Sequence, residues 1–123
     1  MPKRSLDSVK VTWFDRESSL GELRKAVRKL AEEHPEIEAV ILFGSLATGE
    51  AVPGSDADLL VVLGHSDQPF LSRIPRYVPS RCGIDVDVFP YTKDEIDKML
   101  ATGNPFLKDA LEHGIELFKR EKK

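Results

Sequence analysis

The chain has 123 residues, 41% of them hydrophobic and 32% charged, which fits one globular domain with a modest core and excludes the disordered class. Its 18 basic and 21 acidic residues give a net charge of −3, which argues against nucleic acid as the main ligand. Cys82 is the only cysteine, so an internal disulfide is excluded. No apolar run reaches membrane-spanning length and the first residues form no hydrophobic signal core, so we expect a cytoplasmic protein without a membrane partner.

The N-terminal part of the chain predicts an arm followed by an amphipathic helix. In residues 1–18, apolar residues alternate with polar ones, which fits either an edge strand or an ordered arm, and a mobile tail is an equal alternative for the first few residues. Ser19 and Glu22 have the spacing of a capping box, so we predict that the helix and the main domain, 19–118, begin there. Apolar residues recur at helical spacing until His34–Pro35. The other face of this helix carries four cations: Arg24, Lys25, Arg28 and Lys29.

Three strands are predicted in the middle of the chain. Two short apolar runs bounded by Gly and Pro indicate strands buried on both faces, at 37–43 and 57–63. Residues 64–81 contain three prolines and no sustained period, which predicts a loop with one short helix. The run from Ile84 to Phe89 predicts a third strand, with alternate residues on opposite faces.

The C-terminal part predicts two helices and a last strand. Thr92 and Glu95 form a second capping box, which starts a helix that stops at Gly103. Asn104 as cap and Pro105 at the first helical position start another helix, which His113–Gly114 ends. A short strand at 115–118 and a charged tail at 119–123 complete the chain.

The stretch between the first two strands carries the chemistry. Asp56 and Asp58 point the same way at the start of a strand, and two adjacent carboxylates repel each other unless a cation lies between them. The cation that oxygen ligands prefer is a hard one, Mg²⁺ or Mn²⁺. Gly44 lets a phosphate approach the backbone, and Ser45 offers a hydroxyl and exposed N–H groups. Together these residues indicate metal-dependent chemistry on a nucleoside triphosphate.

These residues also resemble a known family. Gly44-Ser45, ten further residues and then Asp56-x-Asp58 are similar to the signature of the polymerase-β-type nucleotidyltransferases, in particular the minimal nucleotidyltransferases of bacteria and archaea. The resemblance covers roughly residues 20–118 and is sharpest at 40–63. It implies an α/β (α+β) fold, a mixed β-sheet covered by helices, chiefly on one face. It also implies the transfer of a nucleoside monophosphate, AMP from ATP, to an acceptor hydroxyl.

The resemblance assigns roles to the site residues. Asp56 and Asp58 would bind two Mg²⁺ (or Mn²⁺) ions, and Gly44 and Ser45 would hold the β- and γ-phosphates. A third carboxylate would bind the ion that activates the acceptor. Asp85 and Asp87 are the two candidates, and the sequence that follows, Val-Phe-Pro-Tyr-Thr, favours Asp87 over Asp85 by similarity to the shorter relatives.

The resemblance also implies a partner. Minimal nucleotidyltransferases are paired with a helical HEPN-type RNase toxin, which they neutralise by attaching AMP to a tyrosine, so the leading hypothesis is a protein-modifying antitoxin. Two alternatives remain open: a non-catalytic module that neutralises such a partner by contact, and a small-molecule nucleotidyltransferase that acts as a homodimer or other homo-oligomer.

One departure from the family concerns arginines near the phosphates. Many members carry arginine at the positions of Leu46 and Thr48. Four other cations are candidates to replace them: Arg73, Arg76, Arg81 and Lys93.

Overall fold

A computed structural model of the chain describes residues 16–44, 57–79 and 85–121, and its core is a four-stranded sheet with helices on both faces. The elements in chain order are α1 (Arg16–Glu33), β1 (Ile37–Phe43), β2 (Ala57–Leu63), α2 (Phe70–Arg73), a 3₁₀ helix (Ile74–Tyr77), β3 (Val86–Thr92), α3 (Lys93–Ala101), α4 (Pro105–His113) and β4 (Ile115–Lys119). In the part of the chain described here, no helix is long and apolar enough to cross a membrane.

The sheet is mixed, as predicted, with strand order β3-β2-β1-β4. β1 pairs with β2 and with β4 in antiparallel fashion, whereas β2 and β3 are parallel. The long connection from β2 to β3 contains α2 and the 3₁₀ helix, which contact the outer strand β3. Parallel neighbours require such a crossover, and it leaves the starts of β2 and β3 side by side.

The helices cover both faces of the sheet, so the expectation of a cover chiefly on one face is wrong. One face packs against α1 through side chains such as Leu23, Val27 and Leu59, all fully buried. The opposite face packs against α3 and α4, where Leu60 and Leu107 are fully buried. Strands this apolar have two faces to bury, and helices on one face alone would leave half of those side chains in water.

Helix starts follow the predicted caps at α3 and α4 but not at α1. The Thr92 hydroxyl accepts from the Glu95 N–H while a Glu95 carboxylate oxygen accepts from the Thr92 N–H, which completes the capping box. Asn104 caps α4 by accepting from the Leu107 N–H. However, α1 begins at Arg16, so Ser19 lies inside the helix. No proline or glycine lies between these two positions, so nothing stops the helix from extending upstream.

The third strand differs from its prediction at both ends. It was predicted at Ile84–Phe89, and it runs over Val86–Thr92, with Ile84 outside the described residues. The sequence pattern stops before Pro90 because proline has no N–H to donate to a ladder. β3 is the outer strand of the described sheet, where a residue whose backbone N–H would point away from the neighbouring strand can be proline without the loss of a ladder hydrogen bond.

Candidate active site

Three neighbouring strands each contribute one residue to a row across the sheet, called the carboxylate row below: Phe43, Asp58 and Asp87. Phe43 of β1 is the register partner of Asp58 on β2, and Asp58 is the register partner of Asp87 on β3. Register partners on neighbouring strands point to the same face of a sheet. The two carboxylates therefore lie side by side on the face that α3 and α4 cover further along. Asp58 is half-buried and Asp87 is exposed, so this row is the open end of that face.

Gly44, directly after β1, lies against the carboxylate of Asp58. Its φ is +82°, a left-handed conformation that side chains other than glycine rarely adopt. A Cβ added there would stand 2.5 Å from Asp58 Oδ2, well inside van der Waals contact. The absent side chain of Gly44 thus makes the space in which the Asp58 carboxylate lies.

The structure therefore brings together three of the predicted site residues: Gly44, Asp58 and Asp87. Asp85 lies just before β3, is exposed, and uses its backbone carbonyl to accept from the Ala57 N–H at 2.9 Å. This bond continues the β2–β3 pairing toward the start of both strands. Some of the predicted positions lie outside the described residues: Ser45, Leu46, Thr48, Asp56, Arg81 and Cys82.

The described carboxylates suit a hard cation but do not complete a site. Within 16–44, 57–79 and 85–121, no group of three or more His, Cys, Asp or Glu side chains could hold a metal ion. The pair Asp58–Asp87 offers carboxylate oxygens, the donors that Mg²⁺ prefers. Asp56, bonded directly to Ala57, adds a third carboxylate in the sequence.

Three aromatic rings lie beside the carboxylate row, and sequence reasoning missed them as a feature of the site. Phe43, Phe89 and Phe106 form a triangle with ring centroids 5.1–5.4 Å apart. Alternation along the strand places Phe89 on the face of Asp87, but the sequence does not place Phe106 of α4 beside it. The signal was absent because no sequence pattern shows that α4 begins over the strands that carry the carboxylates.

Three of the four candidate cations, Arg73, Arg76 and Lys93, have acidic partners away from the carboxylates of Asp58 and Asp87. Arg73, only 5% exposed, binds both carboxylate oxygens of Glu95 at 2.7 and 3.1 Å. It also donates to the carbonyls of Gln68 and Pro90. The planar guanidinium of Arg73 can bind both oxygens of one carboxylate, and Glu95 supplies that carboxylate. The pair connects α2 to the start of α3.

Arg76 and Lys93 lie at the end of the sheet opposite Asp58 and Asp87, which is called the far end below. Arg76 lies 3.8 Å from Glu36, just before β1, and Lys93 lies 3.7 Å from Glu38. This end is five residues along β2 from Asp58, or roughly 16 Å at the rise of a strand. Their partners at that end explain why they do not reach the carboxylate row.

A second polar cluster at the far end is built around Tyr77. Its ring is 2% exposed, its hydroxyl donates to Glu36 Oε2 at 2.6 Å, and His34 packs against it edge-on. Burial raises the pKa of Tyr77. Burial raises the pKa of Glu36, but the hydrogen bond from Tyr77, a backbone hydrogen bond and the charges of His34 and Arg76 together outweigh it, so this pKa lies below its ordinary value. The cluster stabilises the end of the sheet opposite the site.

Comparison of the sequence with known proteins gives matches over most of the chain. A family model described as "Nucleotidyltransferase domain" matches residues 22–117. A curated protein of Methanocaldococcus jannaschii named "Putative protein adenylyltransferase MJ1379" is 27% identical over 101 residues, which is 80% of this chain and 93% of that protein.

Solved structures share the fold. A protein of Sulfolobus solfataricus described as a "putative nucleotidyltransferase" superposes with a TM-score of 0.61 at 29% identity, over 86% of this chain and 87% of that one. A toxin–antitoxin complex with AMP-PNP matches with a TM-score of 0.55 at 20% identity. A mutant of the MntA-HpeT toxin–antitoxin pair matches at 0.52 and 17%. Each of the last two matches covers 80% of this chain and 74% of the other.

Proposed function

The chain belongs to the nucleotidyltransferase domain family, and from this premise we propose that it transfers AMP from ATP to a hydroxyl group of a partner protein. The observation that carries the proposal is the row in which Gly44, Asp58 and Asp87 lie side by side at one end of the sheet. The curated relative, named as a protein adenylyltransferase, supports a protein as the acceptor.

The donor set of the row fits a divalent cation. Asp58 and Asp87 would hold Mg²⁺ or Mn²⁺ together with Asp56, and two ions would satisfy three carboxylates and the phosphates of ATP. Bound there, the metal would neutralise charge on the transferred phosphoryl group and acidify the acceptor hydroxyl. The chain's own task is then to position both reactants, since phosphoryl transfer needs little covalent chemistry from the protein.

The order of the row across the sheet suggests a direction for the reaction. Gly44 lies on one side of Asp58 and Asp87 on the other. The attacking and leaving oxygens of phosphoryl transfer are roughly in line. With the leaving phosphates at Gly44 and Ser45, the acceptor would approach from the side of Asp87. Its oxygen bonds to the α-phosphorus, the bond to the bridging oxygen breaks, and pyrophosphate leaves with the electron pair. The proton passes to the Asp87 carboxylate and then to water.

We assign the third carboxylate role to Asp87 rather than Asp85. Asp87 is the register partner of Asp58 within the ladder, whereas Asp85 lies before the first paired residue of β3. Asp87→Asn should lower AMP transfer by orders of magnitude and leave most ATP binding. Asp85→Asn is the matched control, because it removes one exposed carboxylate two residues before Asp87, just outside β3. Normal transfer by Asp87→Asn together with loss in Asp85→Asn would reverse the assignment.

For the partner we favour a helical HEPN-type toxin encoded beside this chain. The toxin–antitoxin pairs that share the fold motivate that choice. The exposed cations of α1 offer a docking face: Arg24, Lys25, Arg28 and Lys29.

The test is incubation of the protein with ATP labelled at the α-phosphate, Mg²⁺ and the product of the neighbouring gene. We expect the label on the partner, and its loss when Mg²⁺ is chelated. If the partner is neutralised without being labelled, the chain acts by contact alone. Label found only on a small molecule would mean that the acceptor class is wrong.

A further inference from the structure

Three aromatic rings meet where the carboxylate row joins the buried core: Phe43, Phe89 and Phe106, called the aromatic triangle below. Phe43 is the register partner of Asp58. Phe89 is the register partner of Leu60, the next residue of β2 on the same face. The strands β1 and β3 lie two strand spacings apart, about 9–10 Å, yet the centroids of Phe43 and Phe89 are only 5.4 Å apart. The two side chains therefore lean toward each other across β2, between Asp58 and Leu60.

Phe106 joins the other two rings from the helix side. Its ring packs on Phe43 at 5.1 Å and on Phe89 at 5.4 Å. Its place is set locally, because the side chain of Asn104 caps α4 and Pro105 occupies the first helical position. The well-defined start of α4 thus holds the Phe106 ring against both neighbours.

The aromatic triangle is part of the core and also borders the site. Phe43 is 8% exposed, and Phe89 and Phe106 are half-buried against the cluster under α3 and α4. Leu60, on the inner side of the rings, is fully buried, whereas Asp58, on their outer side, is half-buried. Rings packed in this way act on the site through the residue next to them, which is Asp58.

The Asp58 carboxylate also has a close neighbour in the backbone. A Cβ added to Gly44 would stand 2.5 Å from Asp58 Oδ2, so this glycine lies directly against the carboxylate. The aromatic triangle closes the inner side of the same residue. A carboxylate that turned toward the rings would lose water without gaining a hydrogen-bond donor, which is strongly unfavourable. The open end of the sheet is the direction that these neighbours leave to it.

We propose that the aromatic triangle positions the metal site by keeping the Asp58 carboxylate turned toward the open end of the sheet, beside Asp87. This inference rests on the proposed function, which assigns a divalent cation to the carboxylate row. A ligand that is already in place binds an ion more tightly, because its side chain need not be ordered during binding. Without the ring of Phe106, the other two rings lose their common partner. The Asp58 side chain then gains positions in which it cannot bind the ion together with Asp87.

The test is a titration of the full chain with Mn²⁺ alone, followed by electron paramagnetic resonance under conditions in which every variant is folded. Phe106→Leu removes the ring but keeps apolar volume, whereas Phe106→Tyr keeps the ring. Phe70→Leu is the matched control, since Phe70 is a half-buried ring stacked on Tyr91 at 4.8 Å, toward the far end of the sheet. Asp58→Asn identifies the Mn²⁺ binding that belongs to the carboxylate row. Urea denaturation measures the stability of each variant.

We expect Phe106→Leu to weaken the Mn²⁺ binding of the carboxylate row roughly tenfold, the lower end of the effect that residues around metal ligands have on affinity. Phe106→Tyr should keep the affinity of the unsubstituted protein. Phe70→Leu should lose stability, as Phe106→Leu does, without a change in Mn²⁺ affinity. The proposal would be overturned by an unchanged affinity in Phe106→Leu, by an equal loss of affinity in Phe70→Leu or Phe106→Tyr, or by the absence of Mn²⁺ binding that depends on Asp58.

The outcome is separable from that of the proposed function, because Mn²⁺ binding requires neither ATP nor an acceptor. A chain whose Mn²⁺ affinity follows the expected pattern but that labels no protein would uphold the positioning role and refute AMP transfer. A chain that labels its partner while Phe106→Leu binds Mn²⁺ normally would do the reverse.

Discussion

Replacing Gly44 with alanine tests whether the geometry of the carboxylate row matters. The change has two separable costs. At φ +82° a side chain strains the folded state, which lowers the free energy of unfolding by about 1–2 kcal/mol. The new Cβ would also stand 2.5 Å from Asp58 Oδ2, whereas ordinary contacts begin at 3.4 Å, so the carboxylate must move by roughly 1 Å. A displacement of that size in a positioned group costs about 10²-fold in rate.

Gly103→Ala is the control that separates these two costs. Gly103 has φ +75°, nearly the same strain, but an added Cβ there meets no atom within 4 Å. Urea denaturation should give similar losses of stability for the two variants, and AMP transfer to the partner protein should fall only in Gly44→Ala. Wild-type transfer by Gly44→Ala would refute the claim that Asp58 must lie against a glycine. An equal loss of AMP transfer in both variants would mean that the lower stability alone explains the effect.

Three further outcomes are expected. Arg73→Ala should cost about 2–3 kcal/mol of unfolding free energy, because it removes the donor to the Pro90 carbonyl and the cation that binds the Glu95 carboxylate, and urea titration should show the loss with kcat unchanged. Tyr77→Phe should cost about 1 kcal/mol at neutral pH. The lowered pKa of Glu36 contributes stability above its ordinary value of 4.5 that is lost as pH falls through the folded pKa, so Tyr77→Phe should flatten the acid limb of a stability–pH curve. Mg²⁺ at one hundred times its Kd should raise the free energy of unfolding by about 2.7 kcal/mol. The gain should be measurable as a rise in Tm, and Asp87→Asn should make that rise smaller.

The first two strands could be predicted from the sequence to the residue, at 37–43 and 57–63. Both are apolar runs closed by glycine or by turn residues, so pattern and boundary agree. The caps of α3 and α4 were equally local, because a capping box or an Asn-Pro pair needs only four neighbouring residues. The start of α1 could not be predicted from its local sequence, because a serine that could cap a helix can also lie within one, as Ser19 does.

Strand pairing could not be predicted in the same way. Asp85 and Asp87 are equivalent by alternation along the strand, and only the parallel register of β2 with β3 sets Asp87 opposite Asp58. That register goes together with long-range contacts that α2 and the 3₁₀ helix make with β3. Such contacts cannot be read from the residues of β3 alone. The ion pair of Arg73 could not be predicted for the same reason, because its partner Glu95 is 22 residues away in the chain.

The distribution of charge along the sheet follows from these contacts and bears on function. At the far end, opposite charges are paired within the chain: Arg73 with Glu95, Lys93 with Glu38, and Arg76 near Glu36. At the near end, the register places the carboxylates of Asp58 and Asp87 side by side, and a cation between two such groups relieves the repulsion between them. If that repulsion is relieved by Mg²⁺, Asp87→Asn should be more stable than the unsubstituted protein in the absence of metal, and less stable than it at saturating Mg²⁺. A crossing of the two melting curves with metal concentration is therefore the expected signature. Asp87→Asn that is less stable under both conditions would mean that the two carboxylates support the fold and are not held there for a cation.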